Sequence, residues 1–402
     1  MSWTDTSVPN EPRVVVVGGG PGLCDRLRQA RAQITLVDTP AGHDPALLRI
    51  ARRTILTGYD DPALIPALAA IHRDDPFTAV LSLTEPGLLP AARIAAALGI
   101  EAVPPEVVGR TRDKLAMRHR LREAGFSDAP ATVVADAAAV RAFGDEHGYP
   151  VIVKPRHGQG SENVACFRGP GDIVMPPPGA DDYLAEPYFA GPEYSVEAFS
   201  HAGEHRIVAI TGKLTQDDDP DNPFVEIGHV VPAPLPAAAA ATIEAYVSAF
   251  LDTMGIADGC THTEVRLTPT GPQVIETHTR VGGDSIPTLV RQATGHDLLD
   301  MLVDWTLRRS GPGEPSPGAP GAAAIRYFTP PPGRVTAVHG LQRRQGLPGV
   351  LKVHLPLRPG DTIPAVKDSR SRAGYVIAVA PDTDRAVALC RKVITGITIE
   401  VG

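Results

Sequence analysis

The sequence predicts an α/β unit at the N-terminus followed by α+β units, three parts in all, and three observations carry that expectation. Short β-branched runs alternate with helix-like segments over the first hundred residues. Beyond Pro105, closely spaced strand pairs with turns take over, and a low-complexity stretch, GPGEPSPGAPGA at 311–322, sets off the remaining residues 323–402. A chain of 402 residues is long enough for two or three domains of ~150 residues each.

Composition narrows the class. With 43% apolar and 21% charged residues the chain reads as globular rather than disordered. Thirty-eight basic against 46 acidic residues leave a net charge of -8, which argues against nucleic acid or an anionic membrane as the main partner. Cys24, Cys166, Cys260 and Cys390 lie far apart with no CxxC pair, so neither a zinc ribbon nor a disulfide framework is expected. No leader-like N-terminus and no uninterrupted apolar run of ~18 residues occurs, and a cytoplasmic location is expected. Lysine is rare: Lys114, Lys154, Lys213, Lys352, Lys367 and Lys392 are the only six, so each invites inspection.

In the first part, residues 1–105, the runs RVVVV (13–17), ITLVD (34–38), RTIL (53–56) and FTAVLSL (77–83) read as buried parallel strands. GGGPG at 18–22 invites a dinucleotide-binding reading, with Asp38 about 20 residues on. Leu23, however, stands where the third glycine of GxGxxG belongs, and a tight turn beside some other ligand remains the alternative.

The second part, 106–310, begins with a helix expected over about 111–123. Two hairpins are expected next: PVIVKP with NVACF around the loop RHGQGSE, and EYSVEAFS with HRIVAITG around HAGE. A small lid subdomain is expected over about 128–185. The polar, proline-spotted stretch 215–236 is too long for an ordinary connection and reads as an active-site lid or a disordered loop.

The most informative stretch is THTEVRLTPTGPQVIETHTRVGGD, 261–284, where two strand-like runs flank the turn signal TPTGP. A hairpin centred on Thr270 pairs Glu264 with Glu276, His262 with His278 and Cys260 with Arg280. The even positions then share one face, with Val265, Leu267 and Ile275 on the other. Opposed glutamates with Cβ atoms ~5 Å apart repel unless a cation lies between them. Oxygen donors without thiolates favour magnesium or manganese. Zinc held by His262, His278 and the glutamates is an alternative, and a solvated charged face is another.

With these residues in view, the sequence is similar to the ATP-grasp superfamily through an ordered series of motifs covering essentially the whole chain. The resemblance implies an N-terminal pre-ATP-grasp βαβ domain, a central ATP-grasp domain with a lid subdomain, and a C-terminal α+β ligase-associated domain. It implies ATP contacts from Lys114 in RDKLAMR, from Lys154 in VIVKP, and from the glycine loop with Gly158, Gly160 and Ser161. EPYFAGPEYSV (186–196) resembles the hinge, so that Glu186, Pro187 and Phe189 would hold adenine and Glu193 the ribose. Glu264 with ETHTR resembles the ExNxR motif, which makes Glu264 and Glu276 ligands for magnesium or manganese, with two ions per site. Arg280 becomes the phosphate-binding and catalytic cation beside Lys154. His278 replaces the usual asparagine and is the candidate third ligand.

HTE at 262–264, FVEIGHVVPAPLP and TRVGGDSIPTLV look like the L-amino acid ligase branch, as does the C-terminal stretch with AIRYFTPPPGR. That likeness implies carboxylate and amine substrates, with Glu226, His229, His262, Gly282 and Gly283 as substrate-binding candidates and a homodimer as a candidate assembly. Activation of a carboxylate by ATP as an acyl phosphate, followed by amine attack, would give an amide or dipeptide with ADP and phosphate. Purine-synthesis-type and biotin-carboxylase-type ATP-grasp enzymes are the alternatives, and a pyridine-nucleotide oxidoreductase using GGGPG and Asp38 is a more distant one.

Overall fold

A computed structural model describes residues 11–158, 160–175, 182–215, 224–308 and 321–402. Its first unit is a parallel sheet of β1 (Arg13–Val17), β2 (Gln33–Asp38), β3 (Arg53–Leu56) and β4 (Ala79–Leu81) in the order β3-β2-β1-β4. Helices α1 (Pro21–Gln29), α2 (Pro45–Leu48) and α3 (Leu64–Asp74) connect the strands, and α4 (Glu85–Ala97) follows β4. The valines of β1 are fully buried because both faces are covered, which is why the run reads as continuously apolar.

The single helix expected over 111–123 is two. α5 (Pro105–Arg112) stops at Asp113, whose extended backbone and carboxylate cap α6 (Lys114–Glu123) by accepting from the N–H groups of Leu115 and Ala116. The break places Lys114 at the first helical position.

Next comes a small antiparallel sheet of β5 (Thr132–Val134), β6 (Val151–Pro155), β7 (Ala165–Phe167) and β8 (Tyr183–Pro187), in the order β5-β8-β6-β7, packed on α7 (Ala137–His147). The expected first hairpin is here as β6 with β7.

The chain then enters an eight-stranded sheet. β9 (Glu193–His201) and β10 (Glu204–Thr215) form the second expected hairpin, and β11 (Glu226–Val231) follows. Residues 226–231 of the expected lid are therefore a strand, with Gly228, His229, Val230 and Val231 buried between two neighbours. Residues 216–223 of the expected lid lie outside the described residues, and Thr215 ends β10.

After α8 (Ala237–Met254), β12 (Gly259–Thr268) and β13 (Gly271–His278) make the glutamate hairpin, and α9 (Ile286–Thr294) and α10 (Leu298–Thr306) cover the sheet. Glu264 lies opposite Glu276 and His262 opposite His278, as the turn-centred register predicts. Beyond Glu264 the register slips by one: Val265 faces Val274, leaving Ile275 as the extra residue of a bulge. Ile275 consequently lines the cavity instead of the apolar face, and Val274 joins Val265 in the core against α6 and α8. The expected Cys260–Arg280 pair does not form because β13 ends at His278; the Cys260 thiol instead donates to the Leu298 carbonyl.

The C-terminal part comprises β14 (Ala322–Phe328), β15 (Gly333–His339), α11 (Leu341–Gln345), β16 (Val350–His354), β17 (Thr362–Ile363), β18 (Gly374–Ala380), α12 (Thr383–Thr395) and β19 (Thr398–Val401). β14, β18 and β16 extend the large sheet, whose order is β13-β12-β9-β10-β11-β14-β18-β16, while β17-β15-β19 form a separate small one. Most of the low-complexity stretch expected as a linker, 309–320, lies outside the described residues. No described helix is long and apolar enough to cross a membrane.

Candidate active site

A cavity of about 380 Å³ opens between the small sheet, the large sheet and the C-terminal part. β6 supplies Lys154, α6 supplies Lys114, and the glycine loop supplies Gly158, Gly160 and Ser161. The hinge contributes Glu186, Pro187, Phe189 and Glu193; the large sheet contributes Glu226, His262, Glu264, Glu276 and His278; Arg280 and Gly283 complete this side. Of the residues expected to bind ATP, metal or substrate, His229 and Gly282 do not line the space. His229 is fully buried behind Glu226, and a Cβ on Gly282 would come within 2.9 Å of His262 Nδ1, so glycine there lets the backbone pass the imidazole.

Under the hinge, Glu186 receives Nε and a terminal nitrogen of Arg118 at 2.9 and 3.2 Å and Lys154 Nζ at 2.7 Å. Burial favours the neutral acid, yet the two cations outweigh it and hold the Glu186 carboxyl down at about 2. Burial pushes the Lys154 ammonium below its ordinary value despite its partner. Phe189 lies over Arg118, with the guanidinium carbon 5.4 Å from the ring centre.

The facing glutamates are neutralised by two lysines. Lys114 Nζ is 2.8 Å from Glu276 and donates to the Gly158 carbonyl at 3.0 Å. Lys213, fully inside β10, lies 2.5 Å from both Glu226 and Glu264 and 3.1 Å from Glu193. Burial disfavours its charge, but the three carboxylates raise it well above the ordinary lysine value. Burial likewise works against ionised Glu264 and Glu276, and the neighbouring ammonium groups hold both carboxyls low.

Oxygen atoms of Glu193, Glu226 and Glu264 come within 4.8 Å of one another. Together with Glu276 they form an oxygen-only donor set that fits magnesium or manganese. Each of the two imidazoles lies between two carboxylates. His262 Nδ1 lies 2.8 Å from Glu197 and its Nε2 3.3 Å from Glu264; His278 Nδ1 lies 2.8 Å from Glu85 and its Nε2 3.1 Å from Glu276. A ring set between two carboxylates can bridge them through its two nitrogens. Both rings are buried, which opposes charge, but carboxylates raise both: Glu197 foremost lifts His262 to about 9, and Glu276 with Glu85 lifts His278.

Sequence reasoning missed several cavity residues. Lys213 carried a signal, being one of six lysines and inside a strand-like run. Arg266, which reaches Glu193 at 2.8 Å, and the Asp284–Arg372 pair carried none. Arg372 comes from the C-terminal part, binds both oxygens of Asp284 at 2.8 Å and stacks 3.5 Å from the centre of the Tyr327 ring. Asp38 at the GGGPG turn accepts from Gly19 N–H, Thr39 N–H and the Tyr59 hydroxyl, so its carboxylate is already used within the fold.

Residues 177–288 match the ATP-grasp domain, residues 28–100 the ATP-grasp N-terminal domain, and residues 326–402 the L-amino acid ligase C-terminal domain 2. The chain carries ATP-grasp domains. This ATP-grasp protein is 27% identical over 398 residues to an uncharacterized protein of Sinorhizobium fredii, covering 95% of this chain and 77% of that one. It is 23% identical over 302 residues to the L-arginine-specific L-amino acid ligase of Bacillus subtilis, covering 72% and 71% respectively. The crystal structure of L-amino acid ligase from Bacillus licheniformis has the same fold, with a TM-score of 0.82 at 21% identity over 97% of this chain and 99% of that one. The three-part ATP-grasp architecture, with its N-terminal, ATP-grasp and C-terminal parts, is the architecture of this chain.

Proposed function

We propose that this ATP-grasp protein is an ADP-forming carboxylate–amine ligase that joins an amino acid or small carboxylic acid to an amine, with an amino acid as the preferred amine. The observation that carries the reading is the convergence, in one cavity, of two buried lysines from the nucleotide side and an oxygen-only carboxylate set from the large sheet. Relatives named as amino acid ligases and the matching C-terminal domain favour the dipeptide-forming branch over the purine-synthesis and biotin-carboxylase types.

In this reading Phe189 and the backbone of 186–189 hold adenine, Glu193 holds ribose, and Lys114, Lys154 and the glycine loop hold the phosphates. The substrate carboxylate attacks the γ-phosphorus, ADP leaves, and the amine then displaces phosphate from the acyl phosphate. Phosphoryl transfer of this kind requires positioning and charge neutralisation more than covalent help. Arg280, Lys114 and Lys154 supply fixed positive charge around the transferring group. Glu264 and Glu276, with Glu193 and Glu226 beside them, would hold one or two magnesium or manganese ions, which supply charge neutralisation at the phosphates. Glu226, His262 and Gly283 form the substrate side, with His229 behind them, and a homodimer is the assembly to test by light scattering.

The test uses a carboxylate labelled with oxygen-18 and a screen of amino-acid pairs. One labelled oxygen should appear in the released phosphate, and ADP should accumulate. AMP with pyrophosphate, or a label confined to acid and amide, overturns the acyl phosphate route.

A further inference from the structure

Glu85 is the first residue of α4 in the N-terminal unit, and it does not line the cavity. Its carboxylate nevertheless reaches two arginines and an imidazole. Oε1 accepts from Arg112 Nε at 3.1 Å; Oε2 lies 2.8 Å from His278 Nδ1 and accepts from Arg280 Nε at 3.3 Å. His278 continues the line, since its Nε2 is 3.1 Å from Glu276, and Glu276 in turn meets Lys114 at 2.8 Å. Acidic and basic side chains alternate along the row from Arg112 through Glu85, His278 and Glu276 to Lys114, all of it largely withdrawn from water.

The two nitrogens of an imidazole point to opposite sides of the ring, so His278 can link two carboxylates in a line. Such a link holds its ring only if the far carboxylate is fixed. Glu85 is fixed by Arg112 and by its place in the first turn of α4, where the helix N-terminus also favours a negative side chain.

We propose that Glu85 is a positioning residue: through His278 and Arg280 it sets the orientation of Glu276 and of the phosphate-side guanidinium, and so ties the N-terminal unit to the chemistry. The inference rests on the roles given above to Glu276 and Arg280.

A double-mutant cycle with Glu85→Gln, His278→Asn and the double variant tests it. Glutamine keeps the shape and one acceptor of glutamate, so the fold is retained. Glu85→Gln should lower kcat by about tenfold while the KM for ATP moves by less than about threefold, because orientation rather than binding is lost. In the His278→Asn background the same change should cost at least about threefold less. Multiplying effects, or a Glu85→Gln enzyme with wild-type kcat, overturn the proposal. A second readout needs no turnover: in the ligand-free protein the His278 ring resonances, identified by their loss in His278→Asn, should shift in Glu85→Gln. Unchanged resonances overturn the proposal. Should no amino-acid pair support turnover, the ligase reading fails on its own, and the resonances still decide the role of Glu85.

Discussion

Replacing Glu186 with glutamine removes a carboxylate that faces two cations at once. Arg118 and Lys154 have side-chain exposures of only 1% and 7%, so neither can turn to water when the charge is gone. Two routes give the size of the effect. A carboxyl held at about 2 against an ordinary 4.5 corresponds to about 3 kcal/mol of differential stabilisation. Removing one member of a buried ion pair typically costs roughly 3–5 kcal/mol, since the partner is left buried and uncompensated. Urea unfolding at pH 7 should therefore show Glu186→Gln less stable by about 3 kcal/mol. The sign of the pH dependence follows from the lowered value. The stabilisation is complete above about 4.5 and is lost as pH falls toward about 2, so the gap between wild type and variant should narrow over that interval. A gap below about 1 kcal/mol at pH 7, or one that does not change between pH 5 and 3, refutes the assignment of Glu186 as the counter-charge of both cations.

Two further outcomes concern catalysis. Glu276→Ala should lower ATP-dependent phosphate release by at least about a hundredfold while the protein still melts cooperatively, at a lower temperature because Lys114 loses its partner; wild-type turnover would sink the facing-glutamate argument. Lys154→Met should raise the KM for ATP and lower kcat/KM by about ten- to a hundredfold, because a phosphate loses its compensating charge; unchanged ATP kinetics would show that the lysine serves Glu186 alone.

Much of this was legible in sequence because local signals and buried pattern agreed. The valine run 14–17 and the turn TPTGP each specify their neighbourhood without outside help, and the Glu264–Glu276 pairing followed from the turn alone. The bulge at Ile275 did not follow, because one extra residue leaves the turn signal unchanged and is fixed by packing of Val265 and Val274 on α8. β11 was mistaken for part of a lid because polar residues precede it and its strand is short, although its pairing with β10 and β14 buries it. The break before Lys114 did have a local mark, an aspartate just ahead of a helical run. Glu85, Arg118 and Arg372 had none: Glu85 meets His278, Arg118 meets Glu186 and Arg372 meets Asp284 across long stretches of chain, and no periodicity encodes such partnerships.

The continuity of the large sheet has a consequence for exchange of parts between relatives. β14 borders β11 along four residue pairs, and the loop before β18 carries Asp368, Ser369, Arg370 and Arg372 to the cavity wall. Cutting the chain before Ala322 would expose β11 as a bare edge, a template for association with another chain, and would take away one side of the site at the same stroke. The C-terminal part is thus not an appendage that can be grafted or dropped while the cavity stays closed on that side. A chimera joined there would carry the donor's wall into the recipient's cavity.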